Sequence, residues 1–512
     1  MKLFAKKPIE LLLAQAAEEG DHTLKRALGP FGLTMLGIGS IIGAGIFILT
    51  GQQAAINAGP AILLSFVLAG ITCAAAALCY AELSSMIPVS GSAYTYAYAT
   101  LGEFVAWIIA WDLIIEYLFA ASTVAAGWSG HLADLLAGFG LTFPAEWAGA
   151  PYSFDGKHFV PTGRILNVPA IGIVALMAGV LISGITESAT VNNAIVMLKV
   201  AIVVIVIAFG IAFINPSLWH PFIPKEVVDD NGVHHFGLKG ILSAAGVIFF
   251  AYIGFETVST AAQEAKDPQR TMPIGILASL AICTVLYITM SLVITGLAPY
   301  ATLNNAHPVS AALSTHPELQ WLRQVVNIGV AVGLGSTILT LLYGQSRIFY
   351  SMSRDGLLPS FFGRLMKGRR TPWIGTIITA AAAALAAGLL PLDVLGELVS
   401  IGTLFAFALI CAAVMYLRIV RPELTRAFKT PFWPVTATIG ILSCLWLISG
   451  LGTPTLLRLV VWMVVGLVVY FGWAYWHSRR QEKRAAEAAA APAAELQRRG
   501  GSARPAPCCR ST

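Results

Sequence analysis

Residues 36–51 read LGIGSIIGAGIFILTG, apolar enough to lie in hydrocarbon yet carrying glycines at 37, 39, 43 and 45. A helix is locally weak there, because glycine loses more backbone entropy on ordering than any other residue. Hydrocarbon offers no water to freed N–H and C=O groups, so a break at that depth persists only where it faces protein, a wet cavity or a ligand. Interrupted helices of this kind line ligand sites near the bilayer midplane.

Outside that stretch the chain is equally apolar: 57% of its 512 residues are hydrophobic and 11% are charged, and the mean hydropathy is +0.76. Soluble domains carry about 25% charged residues. Apolar runs of spanning length, about 20 residues each, recur near 31–54, 60–83, 103–129, 165–184, 189–214, 238–260, 272–297, 323–351, 372–391, 394–418, 432–450 and 455–476. The fold class is therefore an all-α integral membrane protein with about 12 transmembrane helices.

Basic residues set the orientation. With a cytoplasmic N-terminus, the inner segments hold Lys2, Lys6, Lys7, Lys25, Arg26, Lys266, Arg270, Arg354, Arg364, Lys367, Arg369, Arg370, Arg418, Arg421, Arg426, Lys429 and the tail from Arg479. The opposite loops keep Lys157, Arg164, Lys225, Lys239, Arg323 and Arg458. Both termini are expected in the cytoplasm, and the net charge of +6 reflects this topology and gives no reason to expect nucleic acid as a partner. Glu10, Glu18, Glu19 and Asp21 make the first 30 residues too polar for a cleaved signal peptide. Cys73, Cys79, Cys283, Cys411 and Cys444 sit in apolar runs and Cys508 and Cys509 end the tail, with no metal-ligand spacing or disulfide framework. No cofactor and no metal are expected.

A second interrupted run, Gly237 to Pro268, has glycines at 237, 240, 246 and 254 with Glu256 close behind. The charge pattern places it opposite in direction to the first. Two five-helix halves, each opening on a broken helix, fit the five-plus-five inverted repeat named with the leucine transporter. The expected divisions are a cytoplasmic segment 1–30, repeats 31–214 and 215–418, two accessory helices in 419–476, and a cytoplasmic tail 477–512.

The breaks have a definite chemistry. The second half-helix presents unpaired N–H groups at its positive dipole end, and the first half ends in free carbonyls. An α-amino acid carries a carboxylate and an ammonium on one carbon, matching both ends. The amides of Ala44 and Gly45, with Gly43 counted beside them, are candidates for the carboxylate; the carbonyls of Ile41, Phe250, Ala251 and Ile253 are candidates for the ammonium. The plainer alternative is that these glycines only let helices pack closely.

Ionisable residues inside spans are costly, at least about 2.5 kcal/mol at the bilayer centre. Lys199 is a candidate proton switch that bonds the carbonyls of the first broken helix when charged and releases them when neutral; a snorkelling or structural lysine is the alternative. Asp112 and Glu116 share one helix face. Glu116 is a candidate for the side-chain end of a pocket or a proton relay, or for an ion pair with a neighbouring helix. Glu256 is a candidate gate or proton-linked carboxylate, or a cap for the half-helix after it. Glu82, Glu187 and His131 fall near span ends, where interfacial roles are expected.

The strings LGIGSIIGAGIFILTG, WDLIIEY (111–117), NNAIVMLKV (192–200), FFAYIGFETVSTAAQEAKDPQRTMPIGI (249–276) and YGQSRIFYSMSRDGLLP (343–359) resemble the amino acid–polyamine–organocation superfamily, in its bacterial branch related to cationic amino acid transporters. The resemblance runs in order from about residue 24 to 476. It implies backbone recognition of the substrate carboxylate at Ala44 and Gly45, amine recognition at Ile41, Phe250, Ala251 and Ile253, a proton-linked lysine at Lys199, and the family's acidic residue of the third helix at Glu116. Glu256 falls on the acidic position after the second break, and Leu339 on the pocket-closing eighth helix.

The expected function is a secondary transporter of the bacterial inner membrane, importing amino acids with protons by alternating access. An aliphatic, small pocket wall, read from Ile253, Gly333, Gly335 and Leu339, favours neutral amino acids of small to branched size. Cationic substrates, exchange, and a non-transporting sensor are alternatives. An enzyme is not expected, since no nucleophile is paired with a base and no metal-ligand set recurs. Besides substrate, protons and lipid, the partner left open is a small single-span membrane subunit.

Overall fold

The computed structural model describes residues 4–8, 28–89, 92–154, 158–183, 189–229, 234–262, 265–305, 307–366 and 371–479; Glu187, Cys508, Cys509 and the expected tail from 480 lie outside them. Each apolar run read from the sequence contains helix, two of them interrupted. The chain forms α1 (Pro30–Ile41), a wound segment over 45–58, α2 (Ile62–Met86), α3 (Ser92–Thr100), α4 (Glu103–Gly138), α5 (Val168–Ile182), α6 (Ala189–Gly210) and α7 (Gly237–Ile248). It continues through α8 (Pro268–Leu297), α9 (Pro308–Ser314), α10 (Gln320–Arg354), α11 (Trp373–Leu389), α12 (Leu392–Val420), α13 (Trp433–Gly450) and α14 (Thr453–Val469). Prolines open several of these helices, where a missing N–H costs nothing. Two short antiparallel hairpins in connections, Tyr152–Phe154 with Phe159–Pro161 and Val227–Val228 with His234–His235, are the described strands.

Among the described residues nine helical stretches are long and apolar enough to cross a membrane, and α1, α5 and α11 are shorter apolar helices. Side chains such as Leu176, Val285, Leu385, Leu442 and Val460 are exposed on the outer faces. That wall would be a liability in water and is the expected surface against lipid.

The helices pack in two groups. In one, α1 and α2 lie on α8, and α7 lies on α2. In the other, α4 packs on α10, α11 and α5, and α11 also on α5. α6 touches both α1 and α10, and α12 bridges α4, α2 and α13.

Two residues expected at the interface are instead buried. Glu82 accepts Nε and Nη2 of Arg418 at 2.8 Å, Arg426 Nε at 3.1 Å and the Thr430 N–H at 2.8 Å, which locks the end of α2 to the last turn of α12 and the segment after it. His131 lies in a second polar cluster near the end of α4. Position near a span end fixes depth along the bilayer, not distance from the bundle axis.

Candidate substrate site

Two interruptions meet inside the bundle. The α1 helix stops at Ile41; Ile42 is extended (φ −72°, ψ 99°) while its N–H still bonds the Ile38 carbonyl at 2.8 Å. Helical winding resumes from Ala44 into a π-turn at Gly45–Leu49, so the N–H groups of 43–45 open a half-helix whose first turn supplies them no acceptor. In the second interruption α7 passes into a tight turn at Phe249–Tyr252, Ile253 is extended (φ −61°, ψ 133°) and Gly254 takes φ 128°.

Glycine makes the contact between them. A Cβ at Gly45 would stand 2.3 Å from the Ala251 Cα, and one at Gly254 would stand 2.6 Å from the Ser40 carbonyl carbon. Backbone therefore lies against backbone, and residues 40–45 and 251–254 share one locus. The Ile41 carbonyl accepts the Tyr287 hydroxyl at 2.8 Å and the Phe250 carbonyl accepts the Ile253 N–H at 3.1 Å; each keeps a second lone pair. The Glu256 carboxylate accepts the Gly254 N–H at 2.8 Å, fixing the turn just before the short helix Thr257–Thr260.

Lys199 is buried on α6 and points inward. Its ammonium donates to the Gly39 carbonyl at 3.0 Å and to the Thr337 hydroxyl at 2.7 Å, while its stem lies against Gly333, where a Cβ would be 3.0 Å from Cγ. Thr337 also borders the first break: a Cβ on Gly43 would be 3.4 Å from its Cγ2. Sequence reasoning missed both Thr337 and Tyr287. The available signal for Thr337 was its spacing, four residues after Gly333 on one face of α10.

The remaining expected residues are more dispersed. Gly335 faces α5, its Cβ direction meeting Ile173 and Met177 at 4.0 Å, so Gly333 and Gly335 do not line the same wall. Leu339 is buried two residues beyond Thr337, about 200° around the helix from it. Glu116 is buried, and neither of its oxygens has a hydrogen-bond partner among the described residues; nearby Thr403 donates its hydroxyl to the Val399 carbonyl at 3.0 Å. Asp112, one turn earlier, lies against α12, with its Oδ1 3.0 Å from a Cβ at Gly402. Glu256 and Glu116 are within electrostatic reach of one another. No group of metal-ligating side chains occurs among the described residues.

The family model described as amino acid permease matches residues 28–477. The chain belongs to the amino acid permease family, within the amino acid–polyamine–organocation superfamily. This permease is 46% identical to the methylthioribose transporter of Bacillus subtilis over 93% of its own length and 98% of that protein. It is 45% identical to the branched-chain amino acid permease BcaP of the same organism, with the same shares of each chain covered. It is 37% identical to the vacuolar cationic amino acid transporter 4 of Arabidopsis thaliana, over 79% of this chain and 65% of that one. The permease is thus an all-α, multi-pass membrane protein whose relatives are named as transporters and permeases.

Proposed function

We propose that this permease carries a neutral amino acid of small to branched size inward with a proton, by alternating access. The observation that supports it most is the meeting of the two breaks, where the Gly45 and Ala251 backbones are in contact. In this reading the amides of Gly43, Ala44 and Gly45 hold the carboxylate, and lone pairs of Ile41, Phe250, Ala251 and Ile253 hold the ammonium. Glu116 and Leu339 stand toward the side-chain end. Lys199 and Glu256 handle the proton. Charged, Lys199 ties Gly39 to Thr337 and so α1 to α10; neutral, it loses one donor and loosens that tie.

The inverted-repeat division, 31–214 against 215–418 with accessory helices in 419–476, belongs to the same proposal. It is supported by the packing, since the first and second helices of each half form one group and the third and fourth of each half the other. The proposed setting is a bacterial inner membrane with both termini cytoplasmic.

BcaP at 45% identity supports a branched-chain substrate, and the methylthioribose relative at 46% shows that identity alone does not choose. Methylthioribose has neither an α-carboxylate nor an ammonium, so it would leave both backbone ends unmatched. A cationic substrate is the second reading, favoured by the unpartnered Glu116 carboxylate and the plant relatives.

The test is uptake of alanine, valine, arginine and methylthioribose into sodium-free proteoliposomes with and without an inward proton gradient. Gradient-driven accumulation of alanine or valine is expected. Arginine movement that needs amino acid on the opposite side and ignores the gradient would replace symport with cationic exchange.

A further inference from the structure

A cavity of about 710 Å³ opens where α8 begins, with Asp267, Arg270, Ile274, Leu277 and Ala278 on one side and Phe428, from the connection between α12 and α13, on the other. Its volume is in the range of small-molecule sites, about 300–1,000 Å³.

The mouth carries a surplus of positive charge. Lys266, Arg270 and Lys429 are exposed there, and none of the three has an ion-pair partner among the described residues. One carboxylate, that of Asp267, lines the same cavity. Glu423, further along the connection, is already paired with Arg421. Behind Ala427 and Phe428, Arg418 and Arg426 share the single carboxylate of Glu82, which leaves one more positive charge uncompensated. An anion is therefore drawn to this mouth.

An apolar track leads away from it. Ile274, Ala278, Ala281 and Val285 fall at i, i+4, i+7 and i+11 of α8 and so share one face; Ala278 is half-buried and the other three are exposed. Eleven residues at helical rise cover about 16 Å, close to one leaflet's half of a hydrocarbon core about 30 Å thick. Across the cavity, Phe432 and Trp433 follow Lys429, Phe432 being 85% exposed. Aromatic rings in that position mark the level of lipid headgroups.

We propose that this cavity binds an anionic phospholipid of the inner leaflet. The phosphate faces Arg270, Lys266 and Lys429, a headgroup hydroxyl donates to Asp267, and an acyl chain lies along α8 from Ile274 to Val285. The bound lipid bridges α8 to the connection whose Arg426 holds Glu82 of α2, tying three segments at one end of the bundle. The choice of leaflet rests on the orientation proposed above.

The experiment titrates the purified, delipidated permease with dioleoyl phosphatidylglycerol and, separately, with dioleoyl phosphatidylethanolamine, reading the first bound lipid by native mass spectrometry. The second lipid has the same chains and can also donate to Asp267, but carries no net charge. Phosphatidylglycerol should bind at least about tenfold more tightly. Arg270→Gln and Lys429→Gln should each weaken it about fivefold, and about 30-fold together, with phosphatidylethanolamine held within about twofold. Arg164→Gln, exposed on the expected opposite side, should change neither. Ala278→Trp, which fills the groove, should weaken both lipids. Glycerol 1-phosphate, the charge without the chains, should not displace the lipid at equal concentration. Equal affinity for the two lipids, a preference that survives Arg270→Gln with Lys429→Gln, parental binding in Ala278→Trp, or displacement by glycerol 1-phosphate overturns the proposal. Binding is read in detergent without transport or sidedness, so lipid binding and proton symport fail independently.

Discussion

Adding one methyl group at Gly45 and, separately, at Gly43 divides the site into a packing contact and a ligand contact. A Cβ at Gly45 would lie 2.3 Å from Ala251 Cα and 2.4 Å from its Cβ, whereas carbons pack at about 3.5–4.0 Å. One broken helix must retreat from the other by more than about 1 Å, and the obstacle is backbone, so the cost belongs at the upper end of overpacking, about 3 kcal/mol. At Gly43 the nearest atom is Thr337 Cγ2 at 3.4 Å, which is close to ordinary contact, and the new methyl intrudes on the space between the 43–45 amides and Thr337. An affinity loss of about 1–2 kcal/mol, roughly 5- to 30-fold in the half-saturating concentration, is expected there. Thermal unfolding in nanodiscs and counterflow in proteoliposomes separate the two. Gly45→Ala should melt several degrees lower and lose counterflow of every amino acid tested, while Gly43→Ala should melt like the parent and show weakened affinity. A Gly45→Ala permease with parental melting and uptake would refute the contact between the breaks; parental affinity in Gly43→Ala would remove the amides from the substrate.

Lys199→Met keeps the apolar stem but deletes two charge-assisted bonds, each worth about 1.5–3 kcal/mol. It should abolish pH-gradient-driven accumulation while sparing counterflow, and accumulation at the parental rate would end its role as proton switch. Glu116→Gln should leave alanine uptake within about twofold, because the partner it would lose is absent in the structure; a selective collapse of arginine transport would instead establish the cationic reading. Glu82→Gln leaves Arg418 and Arg426 facing a neutral amide, a change costing about 3–5 kcal/mol in buried pairs. It should lower the melting temperature with KM unchanged in the folded fraction, and a shifted KM at parental stability would contradict a purely structural clamp.

What could be read from the chain alone divides along one physical line. The apolar runs were legible because hydrocarbon thickness imposes a minimum length on every span, and the two breaks because glycine is the residue that tolerates non-helical backbone, as Gly254 does at φ 128°. Both signals are local. Residues whose work depends on a distant partner gave no such signal. Arg418 meets Glu82 across 336 positions of sequence, Tyr287 meets the Ile41 carbonyl across 246, and Asn327 gathers Asp134 and His131 from α4 and Ser310 from α9. Thr337 was hidden for another reason: a threonine inside an apolar helix can return its hydroxyl to its own backbone, here the Gly333 carbonyl at 3.3 Å, so it looks ordinary until Lys199 is seen to donate to it. In the proposed mechanism, a threonine that accepts from the Lys199 ammonium while its methyl borders the first break is the residue through which protonation at α6 would reach the substrate end of α1. Thr337→Val, which keeps the shape and removes the acceptor, should therefore shift the pH dependence of uptake more than its half-saturating concentration; an altered affinity with an unmoved pH profile would mean that Thr337 only lines the pocket.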